Sequence, residues 1–120
     1  TSKDGGIYVA GGTFSNAYND VWGNSGLDYH GCSAGVGNIA EDPLLVGDGD
    51  FHLQGRGGSW HDGAWKRDPA TSPCVDAGDP AGDYSLEPLP NGKRINMGAY
   101  GGTPQASRAA FQKGAVVLIR

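Results

Sequence analysis

Basic runs, long apolar stretches and cysteine are all scarce in this 120-residue chain, and each scarcity removes a class of function. The only adjacent basic pairs are Lys66-Arg67 and Lys93-Arg94, and the formal net charge is −4. No basic stripe exists to neutralise a phosphate backbone, so nucleic acid is not an expected partner. The longest aliphatic run, residues 115–119, is five residues long, whereas a helix crossing a bilayer needs about 20. The sequence therefore predicts no membrane-spanning helix. Neither an initiating Met nor a basic-then-apolar leader stands at residue 1, which fits a processed or excised chain.

The two cysteines, Cys32 and Cys74, are too few and too far apart for a zinc knuckle, which needs close pairs. Two readings stay open for them. One is a disulfide, whose loop of 41 intervening residues would remove unfolded-state entropy worth roughly 4 kcal/mol if its geometry is unstrained. The other is a pair of buried thiols.

What the chain has in plenty is glycine: 22 Gly and 7 Pro, set against three Trp, five Tyr and three Phe. The aromatics and several compact apolar runs argue against disorder. The glycines then read as turn residues in an ordered, turn-dense all-β chain, because Gly reaches positive φ without steric penalty. The length suits one domain, burying about two-thirds of the surface the unfolded chain exposes.

Along the chain, short extended pieces alternate with turn clusters: Ile7-Tyr8-Val9, Thr13-Phe14, and Asn19 through Asn24. Strands this short cannot bury a face alone, and they make sense when each lies on a neighbour above and below, as in a solenoid. Asn16, Asn19 and Asn24 suit the corners, and Trp22 is expected in the core. Pro43 fits the start of a strand through Leu44-Leu45-Val46. After the turn at residues 47–50, alternation puts Phe51 and Leu53 on one face and His52 on the other. Residues 55–71 form a polar, glycine-rich excursion carrying Trp60 and Trp65. Near the end, Thr103 as cap, Pro104 at the first position, three alanines and Gly114 predict a short helix over about residues 104–113. An apolar strand over 115–119 follows.

The order of segments is informative. Tyr18-Asn19-Asp20-Val21-Trp22-Gly23-Asn24 is followed by Gly37-Asn38-Ile39 with Asp42-Pro43-Leu44, then Gly49-Asp50-Phe51-His52-Leu53-Gln54. Ser72-Pro73-Cys74-Val75-Asp76-Ala77-Gly78-Asp79-Pro80 comes next, and Asn96-Met97-Gly98-Ala99-Tyr100-Gly101-Gly102 closes the series. This succession resembles the C-terminal region of secreted bacterial right-handed parallel β-helix repeat proteins. The resemblance implies an all-β fold, with terminal β-helix coils and loops over residues 1–102. The tail after Ser107 departs from that pattern, and the helix and strand over residues 103–120 read from their own signals as a cap on the open end of the solenoid or as a strand that pairs with another chain. The resemblance also implies an extracellular or cell-surface location and many coils upstream. Some proteins of that fold are polysaccharide lyases or glycosidases with catalytic residues on central coils, and no lyase motif is found at any position that could inherit them.

Several chemistries can be weighed directly. Gly31-Cys32-Ser33-Ala34-Gly35 matches the G-x-S-x-G nucleophile pattern, but no strand leads into it and no helix follows. The residues from Gly35 to Ala40 resemble part of a dinucleotide fingerprint without its flanking strand and helix. Asp76, Asp79 and Asp83, with Asp48 and Asp50, offer hard oxygen ligands for calcium, although their spacing completes no EF-hand loop. His30, His52 and His61 show no metal-ligand spacing. Glu41 or Glu87 could pair with an Asp as the acid and base of a glycosidase. Trp60 and Trp65 are the candidates for stacking on a sugar ring, the alternative being that they fold back to shield the solenoid.

The expected role is a non-catalytic structural or surface-display end module that contacts polysaccharide, with no cofactor unless calcium. A fragment of a β-helix lyase or glycosidase whose active site lies upstream is the alternative, and an independent lectin is a third class. Self-association through an exposed solenoid end is a further expectation.

Overall fold

A computed structural model describes residues 6–47 and 49–110. Six short strands are arranged in three two-stranded sheets, with neither a helix nor a closed barrel among the described residues. The expected all-β class holds at that level.

The first sheet is parallel. Strand β1 (Ile7–Tyr8) lies beside β2 (Tyr29–His30) with Ile7 opposite Tyr29 and Tyr8 opposite His30. Further along, Asp20 bridges Ile39 in the same parallel sense, and Ile39 N donates to Asn19 O at 2.8 Å while Val21 N donates to Ile39 O at 3.0 Å. The chain thus lays one course on another, offset by 22 residues at the first contact and 19 at the second. Asparagines bind the courses together. Asn16 Oδ1 accepts from Gly35 N at 3.0 Å and from Asn38 Nδ2, and Asn38 Oδ1 accepts from Asn19 N at 2.9 Å. A Cβ on Gly35 would sit 1.5 Å from Asn16 O, so this approach admits no side chain.

The other two sheets are antiparallel hairpins. Strands β3 (Leu45–Gly47) and β4 (Asp50–Leu53) pair Leu45 with Leu53 and carry an irregularity between Leu45 and Gly47. Strands β5 (Ser59–His61) and β6 (Ala64–Lys66) pair Trp60 with Trp65 across a two-residue turn. Both turn residues, Asp62 at φ 54° and Gly63 at φ 75°, have positive φ. That is the backbone a tight primed hairpin turn demands, and Asp-Gly is among the pairs that supply it.

The apolar core is small: Leu53, Cys74 and Met97, with Tyr18, Ile39, Leu45, Val75 and Ala77 packed around them. Buried polar groups do much of the remaining work through hydrogen bonds to backbone and to one another. Ser107 Oγ donates to Leu53 O, Asn96 Nδ2 donates to Ser107 O at 2.8 Å, and Asp68 Oδ2 accepts from Gly55 N and Ser59 Oγ.

Three expectations need correction. Trp22 is 49% exposed, so it is not core. His52, expected on the face opposite Phe51 and Leu53, is buried together with Leu53, because its ring stacks on Tyr100 at 3.6 Å and its two nitrogens meet Asp50 and Gln105, while Phe51 is 61% exposed. The helix is absent over residues 104–110. Ala106 N closes a turn onto Thr103 O, and the chain then runs extended, with Arg108 N donating to Gly58 O and Ala109 N to Pro90 O, both at 2.8 Å. Alanine's helix preference is worth only tenths of a kcal/mol per residue over most alternatives, and a set of tertiary hydrogen bonds outweighs it. The remainder of that helix and the strand over 115–119 lie outside the described residues.

Candidate functional site

Of the concavities on this framework, two bear on the residues singled out by the sequence. The larger, about 410 Å³, opens directly above the core and is lined by Tyr18, Trp22, Phe51, Leu53, Cys74 and Met97, with Asn19 and Asp20 at its edge. The Asp20 and Asn19 side chains at its edge are already engaged. Asp20 Oδ1 accepts from Glu41 N and Oδ2 from Cys74 Sγ at 3.1 Å, and Asn19 is held by Asn38. Such a groove has apolar surface to cover and little to orient a polar ligand.

The smaller, about 160 Å³, sits beside the β5–β6 hairpin and is lined by Gly57, Gly58, Trp65, Lys66, Arg67 and Arg108. Direct cross-strand pairing sets the Trp60 and Trp65 rings edge to face, with centroids 5.7 Å apart and planes at 67°. This arrangement suits the ring quadrupoles. The Arg108 guanidinium lies 4.2 Å from the Trp65 centroid, a cation–π contact. Both indoles are half-buried. They pack on one another, and Trp65 borders the open pocket.

The aspartates proposed as calcium ligands serve separate ends. Asp79 Oδ1 accepts from Ala81 N and Asp83 Oδ1 from Ser85 N, both at 2.9 Å, closing local turns. Hydrogen bonding from Ser85 also holds the Asp83 carboxyl below its usual range. Asp76 lies apart from such turns, at φ 59°, with its N–H on Asn96 Oδ1. Among the described residues no three His, Cys, Asp or Glu side chains are gathered as a metal would need.

Asp76 does have a partner in charge. Burial first, and the Glu87 carboxylate second, push its pKa up to about 6, opposed by Arg94. Glu87 is 4% exposed; its Oε2 accepts from Asn96 N at 2.8 Å and Gly102 N at 2.9 Å, while its Oε1 and Asp76 Oδ1 are buried without hydrogen-bond partners. The backbone at Gly92, with φ 58°, presses so close to Asp76 Oδ2 that a Cβ there would lie 2.1 Å away. Asp76 and Glu87 are thus neighbours in charge, held against the chain's own backbone, and they line neither of these concavities.

The three histidines go separate ways. His30 stacks on Tyr8 at 4.6 Å, His52 binds Asp50 and Gln105, and His61 approaches Asp62 and Asp68 at 3.5 and 3.7 Å. The backbone N–H of His52 holds the Asp50 carboxyl below its usual range. Cys32 and Cys74 are both free thiols, the first half-exposed and the second buried. Burial, then the Asp20 carboxylate, pushes the Cys74 thiol up to about 12, so it is an inert packing group. Ser33 lies in an irregular stretch whose carbonyl accepts from Asn16 Nδ2, with no strand-to-helix elbow.

Arg108 escaped the sequence reading because it fell inside the expected helix. The hairpin itself carried a signal, the Asp62-Gly63 dipeptide between two tryptophans.

A family model described as disaggregatase related matches residues 8–78, more than half of the chain. The chain belongs to the disaggregatase-related family. This is a different family from the β-helix repeat proteins that the motif order resembles, and the two assignments do not conflict. The family match takes in the parallel courses, both hairpins and the Ser72-Pro73-Cys74 segment; it stops short of Glu87, Asn96 and Arg108. No curated protein and no solved structure matches the chain.

Proposed function

We propose that this member of the disaggregatase-related family is an end module of an extracellular β-helix protein, serving structure and surface display, and that it meets polysaccharide at the β5–β6 hairpin. The observation that carries the glycan contact is the cross-strand Trp60–Trp65 pair on a tight-turned hairpin beside an open polar pocket. Paired indoles offer apolar area at little entropic cost, and the neighbouring polar groups orient hydroxyl-rich ligands. The end-module reading draws support from the parallel courses at offsets of 22 and 19 residues, the pairing that stacked coils use.

A catalytic fragment would call for two carboxylates open to substrate. Asp76 and Glu87 are the coupled pair, and the burial of Glu87 against its own backbone argues for structure.

Calorimetric titration of the chain with a polysaccharide panel tests the reading. Binding to at least one member is expected, weakened about fivefold in Trp60→Ala, as loss of an aromatic contact worth about 1 kcal/mol would give. Absence of binding across the panel, or release of reducing ends by the chain alone, would refute it.

A further inference from the structure

We propose that the pocket beside Trp65 is an oxyanion site, taking a carboxylate or sulfate group, with Arg108 as its principal ligand. The inference deepens the glycan reading by naming the ligand's charge, and it rests on that reading for the carrier of the group.

The chain is acidic overall, yet this pocket gathers Lys66, Arg67 and Arg108 around Trp65, with no acidic side chain in its lining. Arg108 is built in. Its backbone N–H is bound to Gly58 O, and its neighbours Ser107 and Ala109 are fastened to Leu53 and Pro90. Its guanidinium is laid over the Trp65 ring. Even so, Arg108 Nε is buried without an acceptor. A buried guanidinium N–H left unsatisfied is costly, and the planar fork of arginine matches the two oxygens of a carboxylate or sulfate. Lys66 adds positive charge at the rim; its ammonium now leans on exposed Asp62 at 3.2 Å, a pairing weak enough to exchange. A volume of about 160 Å³ accommodates one such group with its water. The sugar ring bearing it would rest against the tryptophan pair.

The test measures binding of the whole chain to polygalacturonate, dextran sulfate, neutral dextran and inorganic sulfate, by calorimetry and tryptophan fluorescence. Arg108→Gln is compared with Arg56→Gln, whose side chain lies outside the pocket, and circular dichroism checks that both fold. At least one charged polymer is expected to bind at least tenfold more tightly than dextran. Arg108→Gln should lose about tenfold or more of that affinity, and Arg56→Gln little. Preference between the two charged polymers identifies the group, carboxylate or sulfate. Should Arg108→Gln destabilise the fold, Lys66→Gln substitutes for it, with a smaller loss and a shallower salt dependence expected. Equal binding of neutral and charged polymers, untouched by Arg108→Gln, overturns the oxyanion site and leaves the glycan reading standing. Binding of inorganic sulfate through Arg108 with no polymer bound does the reverse.

Discussion

The Asp76 carboxylate should make the fold less stable at neutral pH than at mildly acidic pH. Its pKa stands at about 6 in the fold against 3.8 for the free side chain, raised by burial and then by Glu87. A carboxyl whose folded pKa is raised favours the fold fully while protonated, below its unfolded pKa. That contribution is lost as pH rises from about 4 through about 6. At face value the rise corresponds to ~3 kcal/mol at neutral pH. Asp76 is only half-buried, and solvent screening reduces the effect to about 1–2 kcal/mol. Asp76→Asn retains the shape and tolerates the positive φ, so it should be more stable than the parent by about 1 kcal/mol at pH 7 and equal to it near pH 4. Urea unfolding followed by tryptophan emission from pH 4 to 7.5 measures the difference, and subtracting one protein from the other cancels the carboxylates that do not interact with Asp76. A difference that does not change with pH, or a variant weaker at pH 7, would refute the reasoning.

Glu87 should behave in the opposite sense: Glu87→Ala strands two backbone donors, Asn96 N and Gly102 N, and is expected to cost about 3 kcal/mol in the same urea assay. Gly35→Ala, which would put a Cβ 1.5 Å from Asn16 O, should lower the melting temperature sharply, whereas Gly47→Ala, with nothing within 4 Å, should shift it little. In native protein at pH 8, iodoacetamide should modify half-exposed Cys32 and spare Cys74, whose thiol is pushed up to about 12. Mass spectrometry reads the sites, and a Cys32–Cys74 disulfide in the non-reduced chain would contradict the free thiols. Trp60→Ala should lose about 0.5–1.5 kcal/mol beyond its buried area through the missing ring pair, measured by thermal unfolding.

Much of the β character was legible because it is written locally. Ile7-Tyr8-Val9 and Leu44-Leu45-Val46 mark β1 and β3, whereas Asn16 and Asn19, expected at left-handed corners, have no positive φ and instead bond one course to the other. Burial was harder to read. Alternation assumes that one face of a strand meets the core and the other meets water, and β4 breaks the assumption. Tyr100 and Gln105, about fifty residues on, cover His52, while Phe51 projects to the groove rim. Trp22 misled for a related reason: an indole in an apolar-looking segment reads as core, but the Leu53–Cys74–Met97 core is too small to enclose it. The calcium reading counted aspartates along the chain, where the fold spends Asp79 and Asp83 on turns and sets Asp76 against Glu87, eleven positions away.

The C-terminal stretch joins the misread element to the candidate site. In a helix, consecutive residues turn by about 100° and their backbone groups bond within the segment. Ser107 and Arg108 would then have no reason to reach Leu53 and Gly58. Extended backbone sends neighbouring side chains to opposite sides and leaves each N–H and C=O free to bond outward. Ser107 therefore points inward, its hydroxyl on Leu53 O and its carbonyl taken by Asn96, while Arg108 emerges on the other side over Trp65. The tertiary bonds that defeat alanine's helical preference are the ones that carry the guanidinium to the hairpin. The absence of a helix over residues 104–110 and the placing of Arg108 at the pocket thus rest on the same set of bonds.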